Sequence, residues 1–393
     1  MKNELKSVPN NKYECCGCGV CEKICPKKAI KMTSDEKGFL YPKIDKNNCV
    51  NCELCLKHCV FYNSVRKQDK NVQGVYIAKH KNDKIRMNSR SGAVFVACSD
   101  YILENNGVVY GCIIDKNMDI KHARAENRKD RDKMCKSKYV QSDIINMLTK
   151  VKQDLNNNRK VLFTGVGCQV DALLNYLKIK KVDISNLYTM DIICHGVASP
   201  MIFKQYIKWL EKKYHGKVTN FDFRDKTICG WDGHMESAII NNKKYKLSYF
   251  RELFHTDMCI RPSCYNCKYS KVKRNSDITI GDAWGIKEAL PSFNDNKGIS
   301  IVISQTKKGN ELLNVIRKNC IIKEVELEKF MQPNLNKPSK AKGNIEEFWK
   351  TYEEGDIDAL IKKYGQVSIK KRIKSFIKYR IRKMIYGRKI YLP

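Results

Sequence analysis

Two cysteine-rich stretches near the start of the chain repeat one spacing. Residues 15–26 read CCGCGVCEKICP, and residues 49–60 read CVNCELCLKHCV. In each stretch four cysteines follow the pattern C-x2-C-x2-C-x3-C, and each cysteine of the second run lies 34 positions after its counterpart in the first. Nine of the 19 cysteines of the chain lie in these two stretches. We therefore expect this spacing to decide what the N-terminal part of the chain folds around.

The spacing is typical of a bacterial ferredoxin segment that holds two 4Fe–4S clusters. Three closely spaced cysteines of each run ligate one cluster, and the fourth cysteine ligates the cluster of the other run. Zinc also binds C-x2-C pairs but does not need a triplet with a remote partner, and disulfides need an oxidising compartment. We predict a first cluster held by Cys15, Cys18, Cys21 and Cys59, and a second held by Cys49, Cys52, Cys55 and Cys25. Cys16 lies outside the spacing and is left unassigned.

Composition narrows the class of protein. The 393 residues carry 75 Lys and Arg against 42 Asp and Glu, a formal net charge of +33 that bound clusters would partly cancel. The N-terminus, MKNELKSVPNNKYE, has no apolar segment typical of a secretory signal, and no stretch approaches eighteen consecutive apolar residues. Nineteen cysteines in such a chain favour metal ligation in a reducing compartment over disulfides. We therefore expect a cytoplasmic protein.

The rest of the chain alternates strand-like and helix-like patterns. KVLFT, for example, is followed by GVG and then by CQVDALLNYLK; Ser91 can cap a helix, and Ser199 with Pro200 forms a strong helix start. Hairpins are predicted around Gly38 and around Asn241–Asn242. The alternation predicts a mostly parallel or mixed sheet covered by helices. The expected fold class is α/β: an α+β ferredoxin-like module at 8–65, an α/β mixed-sheet region at 72–150 and 158–345, and a basic C-terminal helix within 346–393.

A second group of cysteines lies where ligands gather in open α/β sheets, beyond the carboxyl ends of strands. Cys168 and Cys194 follow two predicted strands, and Cys264 and Cys267 form a C-x2-C pair in RPSCYNCKY. These four predict a third cluster or a zinc site, with buried structural cysteines as the alternative. Cys259 competes for one of the four places.

Several long motifs occur in order along the chain: SRSGAVF, GVVYGC, CKSKYVQSD, VLFTGVGCQVDALLNYL, DIICHGVASP, FRDK with GW soon after, and RPSCYNCKYSKVKRNSDITIGDAWG. Through them the sequence resembles the coenzyme F420 hydrogenase/dehydrogenase beta-subunit family from about residue 10 to 310. The resemblance implies an FAD and a 4Fe–4S cluster in the α/β part, with Cys168, Cys194, Cys264 and Cys267 as the cluster ligands. Ala93 and Gly167 depart from the glycine and proline that are usual in the family.

The same resemblance implies where the flavin lies. The residues that match motifs near the flavin, including the TGxxCQ turn, are Ser91, Gly92, Ser137, Lys138, Tyr139, Ser142, Thr164 and Gly165. Lys138 suits a pyrophosphate or the anionic edge of the flavin ring, although SKYVQSD also reads as an ordinary loop. The turn is a weak nicotinamide fingerprint, because Val170 replaces the third glycine. His195 is either a proton donor or a structural histidine.

The C-terminal end is strongly basic. From Gly365 onward the chain has ten Lys and Arg and no Asp or Glu, with apolar residues at helical spacing. This pattern predicts a basic amphipathic helix that either contacts a membrane surface or a partner, or packs on the protein's own core. Nucleic acid is an unlikely partner, since no reading motif accompanies the charge.

Together these features predict an iron–sulfur flavoprotein oxidoreductase. It would pass electrons between 4Fe–4S clusters and FAD, to or from a two-electron acceptor such as coenzyme F420, and would exchange electrons with a redox partner protein or a soluble donor. No catalytic triad or carboxylate pair is evident, so no catalytic residue is assigned. The alternatives are an electron-relay subunit of a larger redox complex and an iron–sulfur protein that binds membranes or nucleic acid.

Overall fold

The computed structural model describes residues 11–63 and 72–367. The strands are β1 (Ile30–Ser34), β2 (Leu40–Ile44), β3 (Gly74–His80), β4 (Val108–Ile114), β5 (Ile120–Ala125), β6 (Val161–Val166), β7 (Leu187–Ile192), β8 (Val218–Asp222), β9 (Glu236–Ile240), β10 (Lys243–Leu247), β11 (Ile278–Asp282), β12 (Ser300–Ser304) and β13 (Cys320–Glu324).

The α-helices are α1 (Val20–Ile24), α2 (Leu54–Lys57), α3 (Asp83–Asn88), α4 (Val94–Glu104), α5 (Arg128–Asp132), α6 (Ile145–Asn156), α7 (Gly167–Ile179), α8 (Pro200–Lys213), α9 (Lys226–Cys229), α10 (Tyr249–His255), α11 (Ile286–Ala289), α12 (Lys307–Ile316) and α13 (Ile345–Tyr364). Short 3-10 helices occur at Lys12–Glu14, Pro262–Asn266, Pro291–Phe293, Leu327–Phe330 and Pro333–Leu335.

One large mixed sheet forms the centre of the molecule. Its eight strands lie in the order β13-β3-β12-β11-β7-β6-β4-β5. The middle strands β11, β7, β6 and β4 are parallel, and every other pairing in this sheet is antiparallel. The predicted α/β class with a mixed sheet is therefore confirmed. The parallel strands bring their carboxyl ends, and the loops that follow them, to one edge of the sheet.

The parallel strands are buried because helices cover them. Val161, Leu162 and Phe163 of β6 are fully buried, as expected for a central strand with both faces covered. Helix α7 follows β6 directly, and α8 begins shortly after β7, with the Ser199 side chain accepting the Ile202 N–H as its N-cap. A separate antiparallel sheet, β10-β9-β8, packs with α8, α10 and α13 around a second core. The predicted hairpin at Asn241–Asn242 joins β9 to β10.

The N-terminal module shares the main core and does not stand apart from it. Val20, Ile24 and Val60 pack in one apolar cluster with Leu148 of α6 and Leu173 of α7. The hairpin β1–β2 forms as the sequence predicts. The module and the α/β part are therefore packed as one body in the described chain.

The start of α4 differs from the expectation that Ser91 caps it. The N-cap is Ala93, which has a left-handed φ of 64° without a side-chain cap. Glycine adopts this conformation most easily, so Ala93 holds a backbone conformation that residues with a side chain rarely adopt. The Ser91 Oγ donates instead to the Ile299 carbonyl.

The C-terminal prediction is only partly within the described residues. Residues 346–364 belong to α13, which buries Phe348, Trp349 and Leu360 against the second core. The basic segment beyond residue 367 lies outside the described residues, so its predicted amphipathic helix remains a prediction. Across 11–63 and 72–367 no helix has both the length and the apolar character that crossing a bilayer requires.

Candidate functional site

The second predicted cluster set lines a single cavity at the surface. Cys25, Cys49, Cys52 and Cys55 all lie in the wall of one small cavity. Cys25 comes from the end of α1, and the other three come from α2 and the loop before it. The Ala29 N–H donates to the Cys25 sulfur at 3.3 Å. The structure thus brings the fourth cysteine of the first run to the three closely spaced cysteines of the second.

The cysteines predicted to hold the first cluster are more buried than those predicted to hold the second. Cys15 is buried, and Cys18, Cys21 and Cys59 are partly buried. The thiol of Cys21 interacts electrostatically with those of Cys15 and Cys59, so these sulfurs are neighbours. Backbone N–H groups donate to all four of these sulfurs: Gly17 to Cys15, Val20 to Cys18, Glu22 to Cys21, and Phe61 and Tyr62 to Cys59. Such hydrogen bonds to sulfur are one means by which a protein sets the reduction potential of a bound cluster.

The third set forms beside the carboxyl ends of β6 and β7. Cys168 lies at the start of α7, and Cys194 follows β7. Cys264 lies within the 3-10 helix Pro262–Asn266, and Cys267 is the residue that follows this helix. Cys194 and Cys267 both interact electrostatically with Cys168 and with Cys264. Cys259 instead donates to the Leu253 carbonyl at 3.7 Å inside the second core. The structure therefore groups the four predicted cysteines and places the competitor among apolar side chains.

Cys16, which the spacing leaves unassigned, lies between the first and third sets. Its side chain is hydrogen-bonded to both Cys168 and Cys18, and these bonds lower the pKa of Cys16. The two hydrogen-bonded partners lie 150 positions apart in the chain. No spacing rule relates them, so sequence reasoning could not find this contact.

Burial opposes ionisation of the grouped thiols. It raises the pKa of Cys21, raises that of Cys59 to about 11 and raises that of Cys194 to about 12. Neighbouring thiols add to this effect because thiolates repel one another. Thiolates crowded in this way need compensating positive charge, which metal ions supply. The donor sets therefore fit bound metal clusters.

The sulfur sets do not have the geometry of a site for one ion. In the part of the chain that the structure describes, no three or more His, Cys, Asp or Glu side chains converge on a position for a single metal ion. A 4Fe–4S cluster places each cysteine on a different iron, so its ligands are farther apart than those of one zinc ion.

The residues predicted near the flavin fall into two groups. Ser142, Thr164 and Gly165 surround the turn between β6 and α7, where Gln169 Nε2 donates to Ser142 Oγ at 3.0 Å. The Thr164 Oγ1 donates to the Tyr110 carbonyl at 2.9 Å. A Cβ on Gly165 would lie 2.9 Å from Gln169 Oε1. The contacts of these three residues fix the local turn.

Lys138 and Ser137 lie in a loop next to this turn, and Lys138 is partly buried. The Lys138 ammonium donates to the carbonyls of Cys135 at 2.6 Å and Lys133 at 3.0 Å. Burial lowers the pKa of Lys138. Backbone carbonyl oxygens thus accept hydrogen bonds from the Lys138 ammonium group, which the sequence analysis expects to bind a phosphate or the flavin ring.

Gly92 and Tyr139 form the second group of residues that the sequence predicts near the flavin. A Cβ on Gly92 would lie 2.1 Å from the Ala78 carbonyl oxygen, so this glycine permits close packing of two backbone segments. Tyr139 stacks on Phe254 with ring centroids 4.9 Å apart, and the ring of Phe254 lies 5.4 Å from that of His195. An aromatic series therefore leads from the residue after Cys194 to Tyr139.

A cavity that sequence reasoning missed lies beyond the carboxyl end of β11. Its wall includes Arg224, Trp231, Asp282 and Trp284, and the charged side chains of Asp232, Lys287 and Glu288 also line it. One oxygen of Asp282 accepts from Arg224 at 2.9 Å and from Arg90 at 3.1 Å, so two guanidinium groups share one carboxylate. The other Asp282 oxygen accepts from the Trp231 indole at 3.1 Å.

The region behind this cavity has surplus positive charge. The Arg90 side chain is 10% exposed, and its Nε and Nη1 have no hydrogen-bond partner among the described residues. Burial, with Arg90 close by, lowers the pKa of Lys226 to about 7. Arg90 also interacts electrostatically with Tyr139. Buried cationic donors without enough carboxylates favour an anionic ligand.

Comparison with known proteins finds matches to two parts of the chain. Residues 14–62 match the family model of the 4Fe-4S dicluster domain. Residues 158–329 match the model for the C terminus of the beta subunit of coenzyme F420 hydrogenase/dehydrogenase. The chain thus has a region similar to the C terminus of that beta subunit and, before it, a region similar to a 4Fe-4S dicluster domain. It is therefore an iron–sulfur protein related to F420-linked oxidoreductases.

Two similar proteins come from Methanocaldococcus jannaschii. A coenzyme F420-dependent sulfite reductase of Methanocaldococcus jannaschii is 23% identical over 351 residues, which cover 83% of this chain and 50% of the relative. An uncharacterized ferredoxin of the same organism is 39% identical over 49 residues, covering 12% of this chain and 62% of the ferredoxin. The chain thus spans about half the length of the first of these curated relatives.

Among solved structures, one similar chain belongs to the xenon-derivatized F420-reducing NiFe hydrogenase complex of Methanosarcina barkeri. The TM-score is 0.45 and the identity 18%, with 82% of this chain and 96% of that chain covered.

Proposed function

We propose that the protein is an iron–sulfur flavoprotein oxidoreductase that exchanges electrons between three 4Fe–4S clusters, FAD and a two-electron acceptor such as coenzyme F420. The proposed ligands are the three sulfur sets described above. When bound, the clusters supply one-electron transfer and the flavin joins it to two-electron chemistry. The acceptor is suggested by the names of the family and of the sulfite reductase relative, both of which refer to F420.

The observation that carries the proposal is the contact of Cys16 with two sulfur sets. The second set lies at the surface, the first lies deeper, and Cys16 links Cys18 of the first set to Cys168 of the third. Beyond Cys194 the aromatic series His195, Phe254 and Tyr139 leads toward Arg90. Together with the sulfur sets, these side chains form a series that leads from the surface toward Arg90.

The chain's own residues have positioning and electrostatic roles in this scheme. Backbone N–H groups hold the cysteine sulfurs, and a hydrogen bond between Asp257 and the Nε2 of His195 fixes the imidazole ring. Arg90 and Arg224 offer positive charge for an anionic group of the flavin or the acceptor. Support for FAD comes from the unpartnered donors of Arg90 and from the family motifs.

The test uses anaerobically purified protein, reduced chemically and mixed with F420. We expect reduction of F420 by the isolated chain, and we expect Arg224→Met to raise the KM for F420 by roughly tenfold or more, since it removes a charged hydrogen-bond donor. Arg317→Met, which changes an exposed arginine at the end of α12, serves as the control. Unchanged KM in Arg224→Met would contradict the assignment of this cavity.

A relay subunit is the second candidate, because the chain covers only half of the sulfite reductase relative. A relay predicts protein with intact clusters that reduces no added acceptor until a partner chain is supplied. An iron–sulfur protein that binds membranes or nucleic acid predicts instead no flavin and binding that weakens steeply with salt.

A further inference from the structure

Six lysines lie on the segments that form the cavity of the second sulfur set. They are Lys27, Lys28, Lys31, Lys43, Lys46 and Lys57, and together we name them the lysine face. All six side chains are exposed, and within residues 11–63 and 72–367 none of them forms an ion pair with a carboxylate. Lys27 itself lies in the cavity wall.

The sheet register concentrates this charge. Lys31 on β1 lies directly opposite Lys43 on β2, and two like charges in opposite positions destabilise a strand pair. Their neighbours in the ladder, Ile30 and Ile44, line the cavity. Since successive side chains of a strand point to opposite faces, Lys31 and Lys43 lie on the face of the hairpin away from the cavity, and they add to the positive potential around the second sulfur set only at longer range.

Few acidic groups offset the lysine face. Asp45 accepts from the side chain of Asn48 at 2.7 Å, and Glu53 lies in the cavity wall. The other carboxylates of the module are already engaged: Glu14 with Tyr62, Glu22 with Lys23, and Asp35 and Glu36 with Lys12. Six lysines against the two carboxylates of Asp45 and Glu53 leave the face positive, and a cluster bound by the second set would cancel part of that charge.

An apolar spot lies within the lysine face. Val50 is 58% exposed and stands between Cys49 and Cys52, in the wall of the same cavity. Cys52 is also exposed. An exposed apolar centre with a charged rim is the usual composition of a contact surface. Here the contact would bring a partner directly over the second sulfur set.

We propose that the lysine face docks an acidic one-electron carrier protein, which exchanges electrons with the second sulfur set. This inference rests on the proposed function. Positive potential attracts an acidic partner and speeds the encounter, while Val50 supplies a dry contact. In one transfer the carrier is oxidised by one electron and this chain is reduced by one electron, or the reverse, and no bond or proton changes place.

The test measures electron exchange with a named probe, a reduced acidic plant-type ferredoxin, by anaerobic stopped-flow spectroscopy. Lys27→Glu/Lys46→Glu is compared with Lys208→Glu/Lys246→Glu, which reverses two exposed lysines of α8 and β10 outside the module. We expect the second-order rate constant of the first variant to fall roughly tenfold at low ionic strength. The difference should vanish in about 0.5 M salt, where charges are screened over a few ångströms.

Three further measurements distinguish a failure of the docking inference from a failure of the proposed function. Iron content and reduction by dithionite show whether the clusters are intact in every variant, and their absence in the unmodified chain would overturn the proposed function. Intact clusters with equal ferredoxin rates in both double variants would overturn the docking inference alone. A faster rate with a basic carrier, such as a cationic cytochrome c, than with the acidic ferredoxin would overturn it as well.

Discussion

At the scale of single residues, Arg261 holds the N-terminal module to the α/β part. Its side chain is 1% exposed and donates to the Cys15 carbonyl at 2.7 Å, to Gln141 Oε1 at 2.8 Å and to the Leu40 carbonyl at 2.9 Å. The guanidinium also lies 4.3 Å from the ring centroid of Tyr41. One buried cation therefore joins the first cysteine run, the β1–β2 hairpin and the core.

We expect Arg261→Met to lower the free energy of unfolding by about 2–5 kcal/mol, because three buried acceptors lose a charged donor. The measurement is the midpoint of anaerobic thermal unfolding by circular dichroism. Arg317→Met, which changes an exposed arginine, is the control. Equal midpoints for the two variants would show that Arg261 does not hold the module.

Cys16 gives a second prediction at this scale. Since it lies outside the spacing, we expect Cys16→Ala to keep the full iron content and Cys18→Ala to lose about four irons, those of one cluster. Loss of the Cys16 hydrogen bonds should also shift the reduction potential of the first or third cluster. Iron analysis and a redox titration followed by EPR measure the two effects. Iron loss in Cys16→Ala would make Cys16 a ligand and the spacing assignment wrong.

At the scale of elements, α13 completes the second core. Phe348 is fully buried, and its ring lies 5.6 Å from Trp349 and 5.2 Å from Tyr364. The Trp209 indole of α8 donates to Asp358 at 2.9 Å. Helix α13 is thus part of the folded domain, although the sequence assigns most of it to a separate tail.

We expect Phe348→Ala to destabilise the protein by about 3–5 kcal/mol, because it removes a buried aromatic ring and leaves a cavity. Lys350→Ala on the same helix changes an exposed side chain and should alter stability by less than about 0.5 kcal/mol. Chemical unfolding under anaerobic conditions compares the two. Similar losses for both variants would contradict the packing of α13.

The elements that the sequence can predict are those with a strong local signal. The buried runs of β6 and β7 and the Ser199–Pro200 start of α8 are found where they are expected. The edge strands β5 and β13 escape prediction, because each buries few of its residues: only His122 and Ala125 in β5, and only Cys320 in β13. Ser91 is expected to cap α4, but the Ile299 carbonyl takes its hydroxyl, a contact between segments far apart in the chain.

The candidate site likewise contains residues that the sequence can predict and residues that it cannot. Spacing groups Cys25 with Cys49, Cys52 and Cys55, and these four line one cavity. Their role as ligands stays a prediction. Arg90, Arg224 and Cys16 carry no spacing signal, because their partners come from distant segments that only the folded sheet brings together.

At the scale of the whole molecule, the module and the α/β part share one core, and this arrangement places the sulfur sets in sequence. Val20 and Ile24 of α1 pack with residues of α6 and α7, and Cys168 opens α7. A hinged module could not keep the first and third sets in constant contact. The shared core therefore supports our central proposal, that electrons cross between the module and the α/β part through adjacent clusters.

The measurement that tests this proposal most directly is the iron, acid-labile sulfide and flavin content of the anaerobically isolated chain. We expect brown protein with about twelve irons, about twelve sulfides and about one FAD per chain, since each of three clusters holds four irons. Colourless protein that carries zinc in place of iron would contradict it.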